Sequence, residues 1–133
     1  MKLISFLNNQ KGFISLITVL IILGVVLLIG VGISQLSISE AQMSLQKTQS
    51  SQSFYLANLC AEEALMKLKE NINYPGDETI LEGGGSCYIL PIEGTWTVKV
   101  ISQFQNQIKK MKIVISQVNP TMIIISWQEV ADF

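Results

Sequence analysis

The chain has 133 residues, a formal net charge of −1 and a mean hydropathy of +0.42. Its nine basic residues are all lysines and it has no histidine, so bidentate grip on phosphate, the commonest general base and a major metal ligand are missing. The composition argues against a basic nucleic-acid-binding domain and against acid–base or metal catalysis; the length fits one domain.

The first element is an apolar block. Residues 12–39 carry no formal charge, and from Phe13 to Ile33 only Ser15 and Thr18 are polar. A helix over residues 13–33 rises about 1.5 Å per residue and so reaches across a hydrocarbon core of roughly 30 Å. Its apolar residues cover every face, unlike an amphipathic helix lying on a membrane surface. Lys2 and Lys11 precede the block without any acid, whereas seven lysines and ten acids follow Ser34. That asymmetry predicts a cytoplasmic N-terminus and an extracytoplasmic remainder. The block exceeds the core of a cleaved secretory signal, and Gly30-Val31-Gly32 is a weak exit site.

The junction before the block adds a second meaning. The leader closes with Asn8-Asn9-Gln10-Lys11-Gly12, and the apolar helix begins abruptly at Phe13. This arrangement, over about Asn9–Leu45, resembles the class III signal of type IV pilins and type II secretion pseudopilins. The resemblance implies cleavage between Gly12 and Phe13 by a membrane prepilin peptidase, followed by N-methylation of Phe13. It implies an assembly helix led by Phe13, Ile14, Leu16, Ile17 and Leu20, which leaves lipid to pack with other pilin-like subunits. Inner-membrane assembly machinery and membrane lipid complete the implied partners. One position departs from the pattern: major pilins usually carry Glu four residues after the mature Phe, and here Ile17 stands there. The resemblance is therefore to a minor subunit.

Beyond the block, residues 34–72 contain neither Pro nor Gly, so the helix can continue. Phe54, Ala57, Ala61, Ala64, Leu65, Leu68 and Ile72 recur at three- and four-residue steps and predict a core-facing stripe. Glu63 and Lys67 form a favourable i, i+4 pair. The stretch Gln42–Ser53 is mostly polar and reads either as a solvated linker or as exposed helix. Tyr74-Pro75-Gly76-Asp77 ends the helix.

The pattern then alternates with period two. Expected strands are Thr79–Glu82, Ser86–Ile92, Thr95–Phe104, Gln107–Gln117 and Met122–Trp127, with turns at Gly83-Gly84-Gly85 and Gln105-Asn106. The glycine triplet lacks the Lys-Ser/Thr of a phosphate loop and reads as a turn. Cys60 and Cys87 are the only cysteines. An isolated extracytoplasmic pair is usually bridged, the alternative being two separately buried thiols. With two cysteines and no histidine, no metal site is expected. Trp96 and Trp127 read as core, with a subunit interface as the alternative for Trp127.

The fold expected is α+β: a long N-terminal helix whose first half spans the membrane and whose second half packs on four to five antiparallel strands. The expected divisions are a leader (1–12), a transmembrane and assembly helix (13–33), its extracytoplasmic continuation (34–73) and a sheet head (74–133). The expected function is a minor pilin or pseudopilin subunit, without enzyme activity, cofactor or evident nucleic-acid partner. The alternative is a single-pass, signal-anchored extracytoplasmic binding domain that does not polymerise.

Overall fold

The computed structural model describes the backbone of residues 2–94 and 96–133 and the side chains of 12–94 and 96–133. The side chains of the leader, including Lys2 and Lys11, and the expected strand start at Thr95 lie outside the described residues. One helix, α1 (Lys2–Glu70), precedes five strands: β1 (Glu78–Glu82), β2 (Gly85–Ile89), β3 (Thr97–Phe104), β4 (Gln107–Gln117) and β5 (Ile123–Val130). The strands form one antiparallel sheet in sequential order. The fold is α+β.

Two compact units divide at Met43/Ser44. In the first, Met1–Met43, every described side chain is exposed, and the helix runs through Gly24, Gly30 and Gly32 without a break. Absence of Pro and of competing side-chain traps permits this, and the few hydroxyls bond back to their own helix.

The second unit, Ser44–Phe133, holds the core. Helix residues Leu56, Ala57, Cys60, Ala61, Ala64, Leu65 and Leu68 are buried against Cys87, Ile89, Val98, Val100, Met111, Ile113 and Ile115. The strand residues come from alternate positions, as a half-buried sheet requires. Each large apolar side chain fully removed from water contributes about 1.5–3 kcal/mol. Alanines on the helix let its backbone approach the strands closely. At Gly85 the approach is tighter still: a Cβ there would lie 2.7 Å from Leu56 Cδ2 and 2.9 Å from the Gln103 carbonyl.

Cys60 and Cys87 form a disulfide between α1 and β2, with their Cα atoms 6.5 Å apart. Beside it, Ser53 on α1 and Ser102 on β3 are buried and hydrogen-bonded, Oγ to Oγ at 3.0 Å. Ser102 donates to the Ser53 carbonyl at 2.7 Å, which leaves Ser53 as the donor between the hydroxyls, with the Gln107 carbonyl at 3.2 Å as its alternative acceptor. No buried described side-chain polar atom is left without a partner, so the pair costs little desolvation.

Several expectations need correction. Phe54 and Ile72 are 37% and 45% exposed and lie off the core face. Ser53, Leu56 and Cys60 occupy the buried face instead, because the stripe drifts around the helix. The helix stops at Glu70, short of residue 73, where Asn71 takes over: its side chain accepts from the Asn73 amide at 3.0 Å, a turn that competes with helix. Strand β2 ends at Ile89 rather than Ile92, because Pro91 has no amide proton for the ladder. Strand β1 starts one residue early, at Glu78, and β5 covers Ile123–Val130 rather than Met122–Trp127. Trp127 is 36% exposed rather than core, whereas Trp96, partly buried, packs against the core.

Turn chemistry follows the sequence. Gly83 and Gly84 adopt φ values of 58° and 82°, the left-handed pair that a two-residue hairpin needs. Replacing Cys60 and Cys87 by alanine is expected to lower the stability of the sheet unit by about 3 kcal/mol, from a closed loop of 27 residues. Urea unfolding of the two proteins measures it, and an unchanged midpoint would refute the loop-closure account.

Candidate assembly helix and head anchor

The expected assembly residues all lie on α1 and all are exposed. Phe13 and Leu20 are 66% and 60% accessible, and Ile17 is 40% accessible. Phe13, Ile17 and Leu20 recur at four- and three-residue steps, so they share one face, with Leu16 beside them and Ile14 on another. Gly12 has nothing within 4 Å of where a Cβ would stand. The structure gathers Phe13, Leu16, Ile17 and Leu20 on one exposed helix face and leaves Ile14 on another.

That surface is built to dispense with water. Thr18 donates its hydroxyl to the Ile14 carbonyl at 2.8 Å and lies 2.9 Å from that of Ser15. Ser34 and Ser37 bond to the Gly30 and Ile33 carbonyls at 2.9 and 3.1 Å. Backbone groups are paired along the helix, and such hydroxyls are paired within it. The segment is long and apolar enough to cross a membrane, and none of its side chains meets a core within this chain.

The opposite end of α1 is fastened to the sheet by polar contacts. Lys67 Nζ lies 2.8 and 2.7 Å from the two carboxylate oxygens of Glu78 on β1, and 3.5 Å from Glu63. The Tyr74 hydroxyl donates to the same Glu78 carboxylate at 2.8 Å. The Lys67 hydrogen bond, with Tyr74 behind it, holds the Glu78 pKa below the ordinary 4.5. Its partner responds in kind: the bond to Glu78 holds Lys67 above its ordinary value. Burial first, and Glu78 second, push the Tyr74 phenol upward. A further tie joins α1 to β5, where the Trp127 indole donates to Asn58 at 3.1 Å. Helix periodicity signalled the Glu63–Lys67 pair; Glu78, Tyr74, Ser53–Ser102 and Asn58–Trp127 carried no such local signal.

Among the described residues no group of His, Cys, Asp or Glu could hold a metal ion. The recess beside the Gly83–Gly85 turn, about 570 Å³ and open to solvent, is lined by Leu81, Ser86, Gln103 and Gln105. It offers no cation to a phosphate and opens no helix.

Residues 11–58 match the family model described as PilX N-terminal. Over that stretch the chain is similar to a pilin-like family. The match begins at the Lys11-Gly12-Phe13 junction and covers α1 into its core-facing part, leaving the sheet unmatched. It points to the minor pilins of type IV pili. That family is structural rather than enzymatic, and its members assemble with other pilus subunits. No curated protein and no solved structure matches the chain.

Glu78 gives the head a pH dependence of definite sign. Its lowered carboxylate pKa contributes stability above the ordinary value of 4.5, and that contribution is lost as pH falls through the depressed folded value. Glu78→Gln is expected to flatten the acid limb of stability against pH, and, by releasing Lys67 from its raised pKa, to lessen the loss of stability at the basic end as well. Thermal unfolding across acidic buffers checks this; parallel acid limbs would remove Glu78 from the account.

Proposed function

We propose that this chain is a minor pilin or pseudopilin subunit of a type IV pilus or type II secretion-like fibre, with a structural and assembly role. The observation that carries the reading is α1 itself: one helix whose first part exposes an uninterrupted apolar surface and whose last part carries a stapled sheet. A plain anchor requires only the apolar length. The junction and the family match over residues 11–58 add the assembly meaning.

In this reading a prepilin peptidase cuts between Gly12 and Phe13, and Phe13 becomes the methylated N-terminus. Residues 13–33 first span the inner membrane with the leader in the cytoplasm, and residues 34–133 lie outside. The assembly machinery then draws the helix from lipid into a bundle of similar helices, exchanging lipid contacts for side-chain packing through Phe13, Ile14, Leu16, Ile17 and Leu20. Glycines at 24, 30 and 32, with no Cβ, let neighbouring helices approach. Ile17 matters for copy number. A buried carboxylate acts as a registry device only when a neighbour's cation meets it, and this chain supplies none at that position. It therefore joins a Glu-bearing major subunit at low copy rather than building the fibre alone.

Mass spectrometry of the mature chain is the direct test. The expected product starts at N-methylated Phe13, and Gly12→Val is expected to leave the leader in place; a chain retaining Met1, or normal processing of Gly12→Val, would overturn the cleavage assignment. In sheared fibres the chain is expected far below a Glu-bearing partner in abundance, and a fibre made of this chain alone would contradict the minor role.

A further inference from the structure

The solvent face of the sheet carries a charge arrangement that the sequence does not announce. Lys99 on β3 and Lys112 on β4 are directly opposed in register, and both point away from the core because Val98, Val100, Met111 and Ile113 fill the inner face. Like charges placed directly across a ladder repel. Lys110, two residues along β4, shares that face, so three ammonium groups gather on two adjacent strands.

What answers them is loosely held. Glu93 lies 3.8 Å from Lys99 with its side chain 80% exposed. Asp132, 85% exposed, lies 2.6 Å from Lys110. The ring of Phe133 stands 5.6 Å from the ammonium groups of both Lys99 and Lys110. Lys112 makes no ion pair among the described residues. The segment after β5 thus lays a carboxylate and an aromatic ring on the lysines, through contacts that water and salt weaken easily.

We propose that this face is a docking surface for a protein segment carrying a carboxylate beside an aromatic ring, and that Asp132–Phe133 is its intramolecular stand-in. The seated segment itself shows which chemistry fits: one anion for the ammonium cluster and one π-face for two cations. The sheet places the lysines on rigid strands, so an incoming segment finds the charges already arranged. A neighbouring fibre subunit is the source of such a segment under the function proposed above, on which that identification of the source rests; the binding chemistry itself does not. Because the stand-in competes as part of the same chain, the site is closed until an outside segment displaces it.

The test uses the full chain in detergent micelles and a fluorescein-labelled peptide reproducing residues 128–133, read by anisotropy. The combined substitution Asp132→Asn and Phe133→Ala opens the site and is expected to tighten peptide binding about five- to tenfold over the unsubstituted chain. Adding Lys99→Gln and Lys110→Gln is expected to abolish that gain, and raising salt on the opened variant, which needs no further substitution, is expected to weaken binding steeply. Equal binding by the opened and unsubstituted chains, or binding indifferent to salt, would overturn the proposal. So would tighter binding of a single-stranded oligonucleotide or of anionic vesicles than of the peptide. Correct processing at Phe13 is measured separately, so failure here leaves the pilin reading standing.

Discussion

The close approach of α1 to the sheet is the constraint on which the head depends. Alanines at 57, 61 and 64 and the glycine at 85 remove the volume that would hold helix and strands apart. Cys60–Cys87 spans the gap that results, and Ser53–Ser102 fits hydroxyls into it with every hydrogen bond satisfied. Larger residues at these positions would separate the layers and expose Val98, Val100 and Ile113. A small sheet has little apolar area to spare, so a covalent staple at the centre of the contact matters more here than it would in a large domain.

The helix serves two environments with one backbone. Over residues 12–43 its side chains find no core in this chain, and its hydroxyls are turned back onto their own carbonyls. Over residues 53–68 the composition changes to small residues on one face and charges on the others. The change needs no break in the helix, since neither stretch contains proline. Side-chain choice alone separates the two parts: an exposed apolar surface long enough to cross a membrane in one, a face packed on the sheet in the other.

Polar chemistry in the head is concentrated where elements end. Lys67, Tyr74 and Glu78 gather at the corner between α1 and β1, and Asn58–Trp127 ties the helix to the opposite edge of the sheet. Lys110, Asp132 and Phe133 meet on the outer face. These contacts lie at the rim of the core, where groups keep access to water and ion pairs orient elements more than they stabilise them. The buried middle is left to apolar residues, the disulfide and one hydroxyl pair.

Much of the fold was legible in the residues. The uncharged apolar run, the helical stripe, the Pro-Gly stop and the alternation of Met111, Ile113 and Ile115 each express a local period or a local backbone limit, which a sequence displays directly. Other features required the tertiary structure. Ser53 reads as part of a polar stretch until Ser102 meets it from 49 residues away, and Phe54 reads as core until the helix turns it outward. Lys99 and Lys112 become neighbours only through strand register, and Phe133 reaches both Lys99 and Lys110 only because the chain folds back after β5. Periodicity and punctuation determined the elements; contacts between residues distant in the chain, which no local pattern encodes, decided which polar groups would be buried, paired or left at the surface.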